Sequence, residues 1–238
     1  MIYVITGTDT DVGKTVATAT YAAQELAAGR SVAVYKPTQT GVSAEEPADA
    51  QNVANWLGRP RRLGLAEGVR LREAMAPLDA ALVAGGQTAV DELPTLEDHL
   101  ARIENLATNY DTVLVEGAGG LLVKLTVRGE TIAELAAALQ AQLVVVTRAD
   151  LGTLNHTELT LEAARNRGFE IGTLLVGSFP AEPIALHLRN RENLEELTGQ
   201  FGWTFAGQLP AGLAGPQCAA RLKHAAQKIS ALNSMSRV

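Results

Sequence analysis

A glycine-rich segment near the start of the chain constrains its fold more than any other feature. The segment follows the apolar run at residues 2–6 and precedes a helical pattern at residues 16–28. Its residues are, in order, Gly7, Thr8, Asp9, Thr10, Asp11, Val12, Gly13, Lys14 and Thr15. A strand, a tight loop and a helix in this order direct the amide groups of the loop and of the first helical turn towards an anion. The segment therefore predicts a phosphate-binding P-loop.

The residue types in this loop favour a nucleoside triphosphate bound with magnesium. Lys14 is placed to reach the terminal phosphates, and the Thr15 hydroxyl is placed to bind Mg²⁺. A helix dipole contributes only about 0.3–1 kcal/mol at an exposed anion, so the lysine and the metal are expected to balance most of the charge. The spacing is a variant, because Thr8 stands where a glycine is expected. The predicted nucleotide contacts are residues 8–16, ending at Val16.

Short apolar runs alternate with helical patterns along the chain. The predicted strands are residues 2–6, 31–35, 112–115, 143–147 and 172–176, and the predicted helices are residues 16–28, 49–57, 96–107, 131–139 and 157–167. Gly29 and Gly168 each follow a helical run and are expected to end it in the left-handed conformation. Such alternation is typical of crossover units on parallel strands. It predicts an α/β fold, a P-loop NTPase-like three-layer sandwich with a mostly parallel central sheet flanked by helices.

The length of 238 residues and the apolar content of 47% suit one large core, so residues 1–238 are expected to form a single P-loop α/β domain. Residues 59–94 carry only weak signals, although Gly85 and Gly86 indicate a turn near the end of this stretch. We expect this stretch to form a lid or a wall of the substrate site.

Charge and composition argue against several other classes of protein. The net charge is −6 and the charged residues are mixed in sign along the chain, which disfavours nucleic acid as a partner. No apolar run approaches the roughly 20 residues that a membrane helix needs. The lone Cys218 cannot form an intramolecular disulfide, and no secretory signal is evident, so the expected location is the cytoplasm. Four histidines are scattered, which disfavours a zinc site.

Two further motifs follow predicted strands and are expected at the same sheet edge as the P-loop, where open parallel sheets bind ligands. One consists of Lys36, Pro37, Thr38, Gln39, Thr40 and Gly41, and the other of Glu116, Gly117, Ala118, Gly119 and Gly120. The glycines allow backbone to approach a ligand closely. The alternatives are that Lys36 is a solvated lysine at a strand end and that Thr40 is only a turn hydroxyl.

A magnesium site is predicted from three of these residues. Mg²⁺ takes one or two carboxylates in addition to phosphate oxygens and water, so Glu116 with Thr15 and one more acid suffices. Asp49 is the predicted third ligand, with Glu45 and Glu46 as rivals. An aspartate at a helix start is also a common N-cap, which remains the structural alternative for Asp49.

A fourth motif lies between the predicted strand at residues 143–147 and a helix expected to begin near Thr157. It contains Gly152, Thr153, Leu154 and Asn155. A helix start of this kind offers amide groups to a substrate carboxylate, with the Thr153 and Asn155 side chains as additional donors. The alternative is that Asn155 only caps the helix.

In order and spacing, these four motifs resemble the dethiobiotin synthetase family over roughly residues 1–180. The resemblance implies that 7,8-diaminopelargonic acid reacts with CO₂ to form a carbamate, that ATP phosphorylates the carbamate, and that the second amine closes the ureido ring of dethiobiotin with loss of phosphate. Such a reaction depends on positioning and charge neutralisation more than on an enzyme nucleophile.

The resemblance also implies residue roles. Lys14 and Lys36 would stabilise the γ-phosphoryl group and the carbamate, Thr10 and Thr40 would orient the reacting groups, and Thr15, Asp49 and Glu116 would hold Mg²⁺. Asp11 would orient Lys14, and Glu116, Gly117, Ala118 and Gly119 would line the substrate site. In the family, the segment from Gly152 to Asn155 binds the substrate carboxylate across a dimer interface. A homodimer with two shared active sites and an inactive monomer are therefore implied.

This chain departs from the family pattern where the nucleoside is expected to bind. Family members commonly carry an Asn-Asp pair after the strand at residues 172–176, and the asparagine amide reads adenine, whereas this chain has Gly177, Ser178, Phe179 and Pro180. We hypothesise that residues 177–181 contact the base through backbone groups and relax selection among nucleoside triphosphates. A second nucleotide loop is expected at Pro210, Ala211, Gly212 and Leu213, without the acid that often holds the ribose.

Three other families share parts of this pattern. A switch ATPase of the partitioning type usually carries a second lysine early in the loop, where this chain has Asp9. A small-molecule kinase with an arginine-rich lid, here Arg59, Arg61 and Arg62, would not explain the Glu116 and Asn155 motifs. A related amidoligase usually adds a glutaminase domain, for which 238 residues leave no room.

Overall fold

The computed structural model describes residues 1–215 and 218–229, and within them the chain forms seven strands and eight helices. The strands are β1 (Ile2–Gly7), β2 (Val32–Gln39), β3 (Leu63–Arg70), β4 (Thr112–Gly120), β5 (Gln142–Thr147), β6 (Thr173–Phe179) and β7 (Thr204–Pro210). The helices are α1 (Lys14–Ala27), α2 (Asp49–Trp56), α3 (Pro77–Asp91), α4 (Leu96–Asn109), α5 (Ile132–Ala138), α6 (Thr153–Arg165), α7 (Ala185–Gln200) and α8 (Ala219–Lys228).

All seven strands join one parallel sheet in the order β3-β2-β4-β1-β5-β6-β7. The inner strands are buried on both faces, which is why their sequences are almost continuously apolar. Successive side chains alternate between two apolar layers: Tyr3 and Ile5 pack towards α1, α2 and α8, while Val4 packs towards α4, α5, α6 and α7. The predicted three-layer α/β sandwich is confirmed.

The five predicted strands are all present, and the glycines predicted to end two helices are left-handed, with φ of 83° at Gly29 and 86° at Gly168. The predictions missed β3 and β7, the two edge strands of the sheet. An edge strand is less fully covered than an inner one, so β3 and β7 tolerate glycine, proline and charged residues that weaken a strand pattern. The predictions also missed α3, α7 and α8.

Several boundaries differ from the sequence prediction. β2 continues through Lys36 to Gln39, so only Thr40 and Gly41 of that motif follow the strand, and β4 continues through Glu116 to Gly120, so the whole of the other motif lies within a strand. The helix expected near Thr157 begins four residues earlier, at Thr153, because Gly152 turns the chain with φ of 88°. Within residues 59–94, the predicted turn interrupts α3, where Gly86 has φ of 68°.

The strand order brings the predicted motifs to one edge of the sheet. β1 lies between β4 and β5, and β2 is the next strand beyond β4, so the carboxyl ends of these strands are neighbours. Register places Ile5 of β1 beside Glu116 and Gly7 beside Val146 of β5. The described part of the chain contains no helix with the length and apolar character needed to cross a membrane.

The P-loop rests directly on β6. A Cβ atom at Gly177 would lie 2.1 Å from the carbonyl oxygen of Val12 and 2.5 Å from Cγ1 of Val146. Backbone contact this close excludes any side chain at position 177 unless the loop moves. β6 therefore helps to set the height of the P-loop above the sheet.

We expect Gly177→Ala to lower the free energy of unfolding by about 1–3 kcal/mol, the usual cost of overpacking a filled site. Urea unfolding measures this change. The matched control is Gly199→Ala at an exposed position in α7, where the added Cβ meets no atom within 4 Å apart from its chain neighbours and the adjacent helix backbone. This control should leave stability unchanged or raise it by at most about 1 kcal/mol, because alanine favours the helix. Equal stability of Gly177→Ala and the unmodified protein would contradict the close approach.

Candidate active site

The P-loop turns through two left-handed residues before α1 begins. Asp11 has φ of 56° and Gly13 has φ of 100°, and Lys14 is the first residue of the helix. The variant spacing has a physical reason, since a Cβ at Gly7 would lie 2.7 Å from Cγ2 of Val12. Position 7 therefore needs a glycine, whereas Thr8 donates its amide hydrogen to the Val146 carbonyl at 2.9 Å and carries a side chain without conflict.

Lys14 reaches back across the loop that precedes it. Its Nζ donates to the Asp9 carbonyl oxygen at 2.8 Å. Burial and then the positive charge of Lys36 lower the pKa of Lys14 to about 8, although Glu116, Asp49 and Asp11 act in the opposite direction. An anion in the loop would offer this ammonium group a stronger partner than a neutral carbonyl.

Glu116 is the centre of the polar network beside the loop. Its carboxylate is only 1% exposed and accepts hydrogen bonds from three side chains. Oε1 accepts from Lys36 Nζ at 2.8 Å and from the Thr15 hydroxyl at 2.9 Å, while Oε2 accepts from the Thr18 hydroxyl at 2.7 Å. A buried carboxylate is tolerated only with such partners. The predicted neighbours Lys36, Thr15 and Glu116 thus converge.

Lys36 lies between two carboxylates. Its Nζ is 2.7 Å from Asp49 Oδ2 and 2.8 Å from Glu116 Oε1, and the residue is 3% exposed. Burial by itself would lower the pKa of Lys36, but the charges of Glu116 and Asp49 outweigh burial and raise the pKa above its usual value. Lys36 is therefore a fixed positive charge, and the alternative of a solvated lysine is wrong.

Asp49 is brought to this cluster by the start of α2. The residue before it, Ala48, is the N-cap, and the Asp49 amide donates to Gln39 Oε1 at 3.0 Å. The Asp49 carboxylate binds Lys36 rather than capping the helix, so the capping alternative is wrong. Of its rivals, Glu46 accepts from the Ser43 amide at 3.0 Å, and Glu45 lines a separate cavity. Neither lines the cavity that contains Lys14.

The oxygen donors present fit a magnesium ion. The hydroxyl of Thr15 and the carboxylates of Glu116 and Asp49 all meet within one lysine-centred cluster beside the P-loop. Mg²⁺ needs no more than this from the protein when phosphate oxygens and water complete its shell. The half-exposed Asp49 and the buried Glu116 both border the open cavity, which gives such an ion access.

A cavity of about 760 Å³ opens above the P-loop and the lysine pair. The predicted site residues that line it are Thr10, Asp11, Gly13, Lys14, Thr15, Val16, Lys36, Thr40, Asp49, Glu116, Ala118 and Gly119. Residues 74–77, from the stretch predicted to form a lid or wall, line it as well. A volume of this size is typical of small-molecule sites.

The segment predicted to bind the substrate carboxylate, residues 152–155, lies outside this cavity. Gly152 and Asn155 are exposed at the start of α6, and since Gly152 is the N-cap, the interpretation of Asn155 as a cap is wrong. The Thr153 hydroxyl is buried and donates to the Arg148 carbonyl at 2.7 Å, so it is not the free donor that was predicted. Leu154 is partly buried.

The two predicted nucleoside segments lie side by side at the ends of β6 and β7. Ala211 donates its amide hydrogen to the Phe179 carbonyl at 2.8 Å, and Phe179 pairs with Pro210. The Phe179 side chain is buried in the core and is not available to stack on a base. Ser178 is exposed, and Leu213 is buried.

The sequence reasoning missed three contributors. Thr18 lies three residues after Thr15 and therefore on the same face of α1, a spacing that pointed to it. Gln39 positions Asp49 through its amide oxygen. Arg148 forms an ion pair with Asp9 at 2.5 Å across 139 residues of chain, for which no local sequence signal exists.

Comparison with known proteins identifies both the fold and the relatives. A family model described as an AAA domain matches residues 2–213. The ATP-dependent dethiobiotin synthetase BioD of Streptomyces coelicolor is 46% identical over 212 residues, covering 89% of this chain and 84% of that protein. The enzyme of the same name from Rhodococcus erythropolis is 45% identical over 213 residues, covering 89% and 88%.

Solved structures with a similar fold are more distant in sequence. The MinD cell division protein of Aquifex aeolicus matches with a TM-score of 0.54 at 14% identity, covering 100% of this chain and 98% of that one. FtsY of Mycoplasma mycoides matches with a TM-score of 0.51 at 14% identity, covering 98% and 67%. At this identity the likeness concerns the fold alone.

We expect nucleotide binding to take up protons above about pH 8. At about pH 9 only about a tenth of the Lys14 side chains carry charge, and bound phosphates would restore it, so uptake should approach one proton per site and affinity should fall as the pH rises. At about pH 6.5 this uptake should vanish, because Lys14 is already charged. Calorimetry of ADP binding in buffers of different ionisation enthalpy measures the protons.

The control for this titration is Lys14→Arg, in which the guanidinium stays charged at both pH values. Any binding that remains should show no extra uptake at the higher pH. Lys36 should not contribute, because its pKa is raised. Equal uptake by the unmodified protein at both pH values would show that Lys14 is not the titrating group.

Proposed function

The chain belongs to the AAA domain family and to the dethiobiotin synthetase family, and we propose that the cavity above its P-loop is the site of ureido ring closure. The protein is an ATP-dependent carbon–nitrogen ligase of biotin biosynthesis. The observation that carries the proposal is the Lys36 ammonium group, held between Glu116 and Asp49 in the same cavity as Lys14.

The substrates implied by this activity are 7,8-diaminopelargonic acid, CO₂ and a nucleoside triphosphate. A carbamate and a phosphoryl group both carry negative charge, and their reaction becomes favourable only where that charge is balanced. We assign Lys14 to the γ-phosphoryl group and Lys36 to the carbamate, because Lys14 belongs to the P-loop, whereas Lys36 lines the same cavity from β2. The two ammonium groups would balance the negative charge of a mixed carbamic-phosphoric anhydride and so stabilise it.

Neutral groups of the same cavity are suited to orient the substrate. Thr10 and Thr40 bring hydroxyl groups to its rim, and Gly119 lets the backbone approach, with φ of 63°. The Gly117 carbonyl accepts a hydrogen bond from Lys36 at 3.1 Å and so helps to hold the ammonium group in place. Gly117 and Ala118 lie in β4 beside the catalytic lysines.

Thr15, Glu116 and Asp49 would hold Mg²⁺, which supplies neutralisation of phosphate charge when bound. Thr15 is the P-loop hydroxyl, and Glu116 is oriented by hydrogen bonds to both of its oxygens. Asp49 is the first residue of α2, and its backbone amide donates to Gln39 Oε1, which fixes its position. These residues bring two negative charges towards a site that otherwise contains two lysines.

The nucleotide is proposed to extend from the P-loop towards the ends of β6 and β7. Residues 177–180 and 210–213 meet there through the pairing of Phe179 with Pro210 and the hydrogen bond from the Ala211 amide to the Phe179 carbonyl. Because Gly177 supports the P-loop, an asparagine at this position would collide with the Val12 carbonyl. We infer that base selection is weaker than in family members with that asparagine.

A homodimer with shared active sites is also proposed. The start of α6 lies outside the cavity, and the apolar side chains of Leu151, Leu159, Ile184 and Leu188 are exposed on or beside α6 and α7. A second copy of the chain would cover them and bring Gly152 and Asn155 to a neighbouring site. Sedimentation equilibrium should give twice the chain mass, and a monomer with full activity would contradict the shared site.

Nucleic acid and membranes are not proposed as partners, in view of the net charge of −6 spread along the chain. We propose the cytoplasm as the location, because the reaction consumes a nucleoside triphosphate.

The test of the function is to supply the pure protein with diaminopelargonic acid, bicarbonate, Mg²⁺ and ATP, and to look for the ring-closed product by mass spectrometry. Lys14→Met should lower kcat/KM by about 100-fold or more, as is usual when a preorganised charge is removed. The matched control, Lys124→Met at an exposed position, should remain within about twofold of the unmodified protein. Phosphate release without product would contradict the assignment.

The nucleotide prediction is tested with ATP, CTP and GTP under the same conditions. We expect kcat/KM values within about 100-fold of one another, because a site without a dedicated hydrogen-bonding side chain discriminates weakly. A preference for ATP of about 10⁴-fold would show that residues 177–181 read adenine by another route. The rate of product formation, not phosphate release, is the measure.

A further inference from the structure

A buried hydroxyl group on α1 holds the oxygen of Glu116 that faces away from Lys36. Thr18 is one helical turn after Lys14 and is completely buried. Its Oγ1 lies 2.7 Å from Glu116 Oε2 and 3.0 Å from the Lys14 carbonyl oxygen. A hydroxyl has one hydrogen to donate, and an ionised carboxylate is the stronger acceptor at the shorter distance. The hydrogen is therefore directed to Glu116.

The two carboxylate oxygens of Glu116 accept hydrogen bonds from different donors. Oε1 accepts hydrogen bonds from Thr15 and Lys36, two residues that line the cavity. Oε2 receives Thr18. A carboxylate held at both oxygens cannot rotate about its Cγ–Cδ bond without breaking a bond to a buried donor.

We propose that Thr18 is a positioning residue that directs Oε1 of Glu116 towards the metal and the γ-phosphate. This inference rests on the proposed function, because Glu116 acts there as a magnesium ligand. Residues behind a metal ligand set its orientation and basicity, and their loss typically weakens metal affinity or activity by about 10–100-fold. Thr18 itself does not line the cavity.

The competing explanation is that the Thr18 hydroxyl only donates a hydrogen bond to a backbone carbonyl of its own helix. Thr20 provides the reference for this case, because it is equally buried in α1 and donates to the Val16 carbonyl at 2.8 Å. That contact spans four residues, like the longer contact from Thr18 to the Lys14 carbonyl. The two threonines differ in the contact that Thr18 alone makes with Glu116.

The experiment compares Thr18→Val, Thr18→Ser and Thr20→Val with the unmodified protein. Valine keeps the shape and removes the hydroxyl, whereas serine keeps the hydroxyl. The Kd of Mn²⁺ for the enzyme in the presence of ADP is measured from the electron paramagnetic resonance signal of free Mn²⁺. Steady-state assays give the concentration of Mg²⁺ at half-maximal rate, and thermal melting of each variant reports its folding.

We expect the Kd for Mn²⁺ to rise by about 10–100-fold in Thr18→Val and to stay within about threefold in Thr18→Ser and Thr20→Val. The Mg²⁺ requirement should shift in the same way. An unchanged Kd in a folded Thr18→Val protein would overturn the positioning role, and so would a failure of serine to preserve it. If the unmodified enzyme with ADP bound no Mn²⁺, the proposed metal site would be wrong and this inference with it. That result differs from the one that would overturn the positioning role alone, in which the unmodified enzyme binds Mn²⁺ and Thr18→Val binds it equally well.

Discussion

The ion cluster of Lys36, Glu116 and Asp49 is the interaction on which the rest of the site depends. An isolated charge at a position as buried as Lys36 or Glu116 would cost several kcal/mol in desolvation. These charges are tolerated because Lys36 Nζ lies within 2.8 Å of both carboxylates, which requires β2, β4 and the start of α2 to meet at one place. The cluster thereby connects the sheet edge with the proposed metal ligands and with Lys36, the lysine proposed to bind the carbamate.

Two lysines in this cavity differ in their electrostatic state. Carboxylates surround Lys36 and raise its pKa, whereas burial and the charge of Lys36 lower the pKa of Lys14 to about 8. Lys36 therefore contributes a constant charge to the cavity. Within the described residues, Lys14 donates to a neutral carbonyl group, so we expect an anion in the loop to stabilise its charge further. This difference suits a site in which the charge of Lys36 is permanent and the charge of Lys14 responds to nucleotide binding.

Gly177 and the stretch at residues 59–94 have structural roles of different kinds. Gly177 is needed because the P-loop lies directly on β6, and this close backbone contact leaves no room for a side chain at position 177. The stretch at residues 59–94 supplies an edge strand, an interrupted helix and one wall of the cavity. Neither feature disturbs the cluster around Glu116.

Local sequence patterns determined much of this protein. The apolar β-branched runs predicted every inner strand, because an inner strand is buried on both faces, and the P-loop motif predicted the first strand, loop and helix. Since parallel strands end at a common edge, the meeting of Lys14, Lys36 and Glu116 also followed from the sequence. The edge strands β3 and β7 were missed, because partial exposure removes the pattern that marks a strand.

Tertiary structure alone decided the contacts between residues distant in the chain. Nothing local distinguishes Asp49 from Glu45 or Glu46, and only the packing of α2 against Gln39 places its carboxylate on Lys36. The same holds for the ion pair between Asp9 and Arg148 and for the buried hydroxyl of Thr153. A hydrogen bond depends on distances within a few tenths of an ångström, and such distances between separate elements are set by the packed core rather than by sequence spacing.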